Sequence, residues 1–153
     1  MALSPSTINR FLFFKLPAAW WTGVRVHQYE SDRSLVRVRF KWINQNPFRS
    51  MFWAVQGMAA ELATGVFFID LHSRKDISIS TLLTGTKAEF TKKAVGQITF
   101  ECSQGKDIQA LVDQALASGK GEQLWVDAIG RDEAGDQVAK FSFQWSIKQK
   151  SKK

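Results

Sequence analysis

Asn46-Pro47-Phe48-Arg49-Ser50-Met51-Phe52-Trp53-Ala54-Val55-Gln56-Gly57-Met58-Ala59-Ala60-Glu61-Leu62-Ala63-Thr64-Gly65 is the stretch whose reading decides the fold. Beyond Arg49 it carries one charged side chain, Glu61. Asn46-Pro47 predicts a turn, because the residue before proline is pushed out of the helical region. Ser50 then caps, and Gly65 stops, a helix of about four turns. Phe52, Val55, Ala59 and Leu62 share one face, and Trp53, Gly57, Ala60, Glu61 and Thr64 recur on the other. Both faces are largely apolar, so the helix is expected to be buried, with everything else folded around it.

A carboxylate in that setting needs a reason, since an ionised one is costly to bury alone. Glu61 is either a reactive group whose pKa is raised by desolvation, so that it serves as a base near neutral pH, or a structural acid bonded to backbone or to an arginine.

Around this helix the chain, at 153 residues, is one domain in length, with 44% hydrophobic residues to fill a core. The formal net charge is +7, but four of those charges are Lys148, Lys150, Lys152 and Lys153, leaving +3 for the body. So modest an excess argues against a nucleic-acid partner and suits a small anionic ligand. Cys102 is the only cysteine, which excludes an intrachain disulfide and a cysteine-based metal site and fits a cytoplasmic protein. His27 and His72 have no second ligand at metal spacing, so no metal is expected. Residues 10–21 are hydrophobic but broken by Lys15 and Pro17, so no transmembrane segment is expected there.

The flanking segments alternate as strands do. Upstream, Ser4-Pro5 opens a short helix with Ile8, Phe11, Leu12 and Leu16 on one side, expected to pack on the domain as residues 1–22. Val24–Glu30 and Leu35–Trp42 predict a hairpin, with Val36, Val38, Phe40 and Trp42 facing one way and Arg37, Arg39 and Lys41 the other. Downstream, a long strand from about Ile79 to Phe90, bent at Gly85, precedes Gln97–Ser103, where Ile98, Phe100 and Cys102 point inward. Asp107 caps an amphipathic helix closed by Gly119, and Leu124–Ile129 with Val138–Ile147 forms the last hairpin. The domain proper is read as 23–148, followed by a basic disordered tail, 149–153.

Two strands, one long buried helix and a run of antiparallel strands make an α+β order that resembles the hot-dog fold of acyl-CoA thioesterases. In that family the signal lies at the buried helix: an asparagine, a small hydroxyl residue, a His-Gly-Gly, and an acid on the helix that follows. Laid over this chain without a gap, the asparagine falls on Asn46, the hydroxyl on Ser50 and the acid on Glu61, while the His-Gly-Gly falls on Phe52-Trp53-Ala54 and is not kept. Over most of its length the chain is similar to an uncharacterised branch of the superfamily, the domains of unknown function DUF4442.

This resemblance implies an acyl-CoA thioesterase-like protein, a homodimer or tetramer with its sites across the interface. A coenzyme A thioester would be the substrate, with no resident cofactor. Glu61 would activate water or attack the thioester, Asn46 would orient water or carbonyl, and the backbone N–H groups of Trp53 and Ala54 would bind the oxyanion. Ser50, Phe52, Gly57 and Arg49 would contact substrate, with Arg49, Lys92 or Lys93 meeting the coenzyme phosphates. Trp-Ala in place of Gly-Gly narrows the approach, which leaves open a non-catalytic acyl-CoA or lipid-binding module on the same fold.

Overall fold

The structure is a computed structural model and describes residues 3–150. Helices α1 (Pro5–Lys15) and α2 (Pro17–Trp21) precede strands β1 (Arg25–Tyr29) and β2 (Ser34–Arg39). A 3-10 turn at Trp42–Asn44 leads to helix α3 (Trp53–Ser73), followed by β3 (Ile79–Phe90) and β4 (Gln97–Cys102). Helix α4 (Gly105–Ser118), β5 (Glu122–Arg131) and β6 (Gln137–Gln149) complete the chain. The six strands form one antiparallel sheet in the order β1-β2-β4-β5-β6-β3, wrapped around α3. This is the α+β arrangement that the order of elements implied.

Alternation explains the sheet. Val26, Val36, Val38, Ile98, Phe100, Cys102, Val126, Ala128, Phe141, Phe143 and Ile147 all point to the dry face and are buried. The bend expected at Gly85 is a bulge between Leu83 and Gly85 in the β3–β6 ladder. Where β4 meets β5, Phe100 lies opposite Gly130, and a Cβ there would fall 2.5 Å from its ring.

Helix α3 differs from its expected form at both ends. It has 21 residues and begins at Trp53 with Phe52 as its cap, without a side-chain cap. Ser50 cannot cap because its hydroxyl is bound to Asn46, 3.0 Å away. Gly65 does not stop the helix, since Val66–Leu71 continue its apolar character; instead the missing side chain admits the Trp145 ring, 3.6 Å from where a Cβ would stand. The length and hydropathy of α3 would suffice to cross a membrane, but 72% of its most apolar window is buried inside the protein. Burial is also less complete than expected, for Trp53 is 58% exposed and Gly57, Met58 and Glu61 are only partly covered.

The two sheet edges are finished differently. At β1, Asn9 of α1 donates from Nδ2 to the Val26 carbonyl (2.8 Å) and accepts the Val26 N–H (2.9 Å), occupying the outer backbone groups. Ile8 and Leu12 anchor α1 in the core, whereas Phe11 and Leu16, expected on the same face, stay over 40% exposed. At the other edge β3 has no neighbour beyond it among the described residues, and Thr86, Lys87, Ala88, Glu89 and Phe90 are all exposed.

Helix α4 starts at Gly105, two residues before the expected cap, leaving Asp107 in the first turn. Gly105 is required there: a Cβ would lie 2.3 Å from the Ser31 carbonyl oxygen. Its other end is as expected, with Gly119 in the left-handed region at φ 66°. Strand β6 runs two residues past Ile147, pairing Lys148 with Ser80 and Gln149 with Ile79, and the Lys150 N–H reaches the Ser78 carbonyl. The expected tail therefore loses its first residues to the sheet, and 151–153 lie outside the described residues.

Trp145 ties α3 to β6 by donating its indole N–H to Thr64 Oγ1, 2.9 Å away and fully buried. Thr64→Val should strand that donor and lower stability by about 1–3 kcal/mol, whereas Thr64→Ser should retain most of it; thermal and urea unfolding will measure both.

Candidate active site

Pro47 and an αL residue at Arg49 (φ 61°) fold residues 46–51 back on themselves, and Asn46 holds the loop together. Its Oδ1 accepts the N–H groups of Phe48 (2.9 Å) and Ser50 (3.2 Å), and its Nδ2 lies 3.0 Å from Ser50 Oγ and 3.4 Å from the Met51 carbonyl. Met51 and Phe52 then donate their N–H groups to Ala94 and Asn44. The loop thus delivers the start of α3 to a fixed place with the N–H groups of Trp53 and Ala54 free of partners among the described residues. Free amides and the helix dipole favour a partial negative charge there.

Trp53 lines a pocket of about 510 Å³ together with Asn46, Phe48, Ser50, Phe52, Gln56, Lys92 and Lys93, whereas Ala54 does not line it. Lys93 reaches the Phe48 carbonyl at 3.1 Å. Lys92 is committed elsewhere, bridging Asp132 and Asp136, and that pairing raises its pKa. Arg49 sits exposed at the loop tip and does not line the pocket.

Glu61 lies eight residues beyond Trp53, about 12 Å further along the helix axis, and opens on a separate groove of about 200 Å³ with Leu16, Gly65, Phe68, His72 and Trp145. Burial pushes its carboxyl above the ordinary value of 4.5, and no cation or hydrogen-bond donor among the described residues offsets it. The structural alternative, an arginine or backbone partner, is not realised among the described residues. Asp70, two and a half turns on, shows what that alternative looks like: almost wholly buried, it accepts from the Leu3 N–H (3.0 Å) and pairs with Arg74 (2.8 Å).

Of the residues singled out in the sequence, Asn46, Ser50, Phe52 and Trp53 gather at one pocket. Asn46 and Ser50 spend their hydrogen-bonding groups on the loop itself. Gly57 is a packing residue, 3.5 Å from the Phe141 ring at its Cβ position. Cys102 is a core thiol, fully buried and pushed up to about 11 by desolvation. Gln56 was not singled out, although it lines the pocket and is buried; a polar residue one turn into an apolar helix was the available signal. No cluster of metal-binding side chains occurs among the described residues.

A family model described as a domain of unknown function, DUF4442, matches residues 5–147. The chain belongs to this family. Among solved structures it is similar to a Pseudomonas aeruginosa protein of unknown function, a probable thioesterase, at TM-score 0.82 and 22% identity over 98% of this chain and 99% of that one. A Chlorobaculum tepidum protein of unknown function follows at 0.79 and 16%, covering 97% and 99%. A Haemophilus influenzae thioesterase superposes at 0.73 and 10%, covering 97% and 93%. At such identities the likeness establishes the hot-dog fold. No curated protein matches the chain.

The raised pKa of Glu61 has a stability signature. A carboxyl whose folded value exceeds its unfolded one stabilises the fold below the unfolded value, and that contribution is lost as pH rises through the folded one. The stability of Glu61→Gln relative to the parent should therefore increase from pH 4.5 upward and level off once Glu61 is ionised, as read by melting temperature across pH.

Proposed function

We propose that this protein is an acyl-CoA thioesterase acting as a homodimer, with each site built from the start of α3 of one copy and Glu61 of the other. The observation that carries this reading is Glu61 itself: a desolvated carboxyl without a partner among the described residues, on the central helix of a fold shared with thioesterases. Asp70 on the same helix is fully paired, so an unpaired acid is not a general property of α3.

Two copies are needed on geometric grounds. A thioester carbonyl held by the Trp53 and Ala54 N–H groups lies about 12 Å along the axis from the Glu61 of its own chain, beyond the hydrogen-bond reach of a general base. An antiparallel second copy would bring its Glu61 to the first copy's helix start. The unpaired β3 edge, with Leu82 65% and Phe90 50% exposed, supplies a surface for such pairing.

In this mechanism the carbonyl oxygen accepts from the free amides of α3, which stabilise the charge that develops on it. Glu61 removes a proton from water as the water oxygen bonds to the carbonyl carbon. Collapse of the tetrahedral species breaks the carbon–sulfur bond, and the proton held by Glu61 passes to the departing thiolate, giving a carboxylic acid and a free thiol. A raised carboxyl pKa suits both transfers, because a base works best when its pKa approaches the working pH. Asn46 acts as a positioning residue through the loop, and Lys93 is the cation best placed for the coenzyme phosphates.

Glu61→Gln should reduce acyl-CoA hydrolysis by about two orders of magnitude or more, with a melting temperature at neutral pH equal to or above the parent's. A thiol-release assay over acyl-CoA esters of graded length tests this; ligand binding without turnover in the parent would instead identify a non-catalytic acyl-binding module. Light scattering should report a dimer or a pair of dimers, and a monomer at micromolar concentration would exclude the shared site.

A further inference from the structure

Helix α1 turns large apolar side chains toward water. Ile8 and Leu12 fill its buried side, and a rotation of about 100° per residue places Arg10, Phe13 and Phe14 on the side facing away from them. Phe14 is 70% exposed there, where a surface helix ordinarily carries polar residues. Phe13 meets Phe14 edge-on at 4.9 Å and Trp20 of α2 at 5.4 Å between ring centroids, and Trp21 is 68% exposed. The buried Asn44 donates from Nδ2 to the Thr22 carbonyl (2.9 Å), which seats the Trp42–Asn44 turn against the end of α2. Trp42 and Ile43 of that turn are 83% and 50% exposed.

Charge decides between the partners that such a surface could take. Residues 1–29 and 34–60, which hold all of these aromatic side chains, contain no aspartate or glutamate. Arg10, Lys15 and Lys41 are exposed, and none of them pairs with a carboxylate among the described residues. A second copy in a twofold contact would present the same face and set cation against cation. Exposed Phe and Trp flanked by unpaired cations match the headgroup level of a bilayer instead, where the rings enter the acyl boundary and the cations meet anionic phosphates. We propose that α1, α2 and the Trp42–Asn44 turn form a docking surface for an anionic lipid membrane, with Phe14, Trp21 and Trp42 as the inserting side chains. This docking does not depend on any hydrolytic activity.

The test is co-sedimentation of the full chain with vesicles of phosphatidylcholine alone and of phosphatidylcholine mixed equally with phosphatidylglycerol. The parent should bind the anionic vesicles about tenfold more tightly than the neutral ones, and less tightly as salt is raised. Phe14→Ser combined with Trp21→Ser should weaken that binding by about tenfold or more, and Lys15→Glu should weaken it with the melting temperature unchanged. Should the double variant fail to fold, Trp42→Ser alone provides the same reading at a separate element. No retention of the parent, equal retention on the two vesicles, or undiminished binding by the serine variants would overturn the inference. A dimeric parent that becomes monomeric in the double variant would also overturn it, assigning the face to a second copy.

Discussion

A 21-residue helix that is apolar on most of its circumference cannot remain in water, and enclosing α3 dictates the curvature, length and register of the sheet around it. The enclosure works through close contacts at positions without side chains. Gly65 admits the Trp145 ring and Gly130 admits Phe100. Trp145 also lies tilted against Phe68, with ring centroids 4.8 Å apart, and spends its side chain's only polar atom on Thr64. One strand, β6, therefore supplies both the apolar cover of the helix and the hydrogen bond that sets its rotation.

The same enclosure separates two kinds of acid on one helix. Asp70 lies where α1, β1 and the end of α3 converge; Arg74 and the Leu3 N–H compensate it there, and burial, with Asp70 adding to it, raises the Tyr29 pKa. Glu61 lies where α3 is only partly covered, so it meets desolvation without compensation. The same helical backbone thus carries one carboxyl that is paired and one that burial alone acts on, raising its pKa.

How much of this could be read in the sequence follows from the range over which each feature is determined. Strand alternation is local, and Val36, Val38, Ile98, Phe100 and Cys102 all face inward as their spacing implies. Helix ends depend on what competes for the capping group: Ser50 looked like a cap, but Asn46 engages its hydroxyl. Gly65 looked like a stop, but its neighbour in space is Trp145, 80 residues away in the chain. At the site, Glu61 was legible because a charge within an apolar run is conspicuous. Gln56 was not, because a glutamine is ordinary until Met51 is seen to claim one end of its amide.

The contrast between the two sheet edges has a consequence for how the protein meets other copies of itself. A sheet whose strands are open on both sides can add neighbours without limit, which is the route to fibres. Here Asn9 occupies the Val26 backbone on one side, so β3 is the edge less obstructed to an additional strand. An antiparallel twofold contact at β3 uses up the open side of both participants at once. Were two copies to meet in that way, growth through the sheet would terminate at two chains, with the Asn9 side chain covering part of the opposite edge.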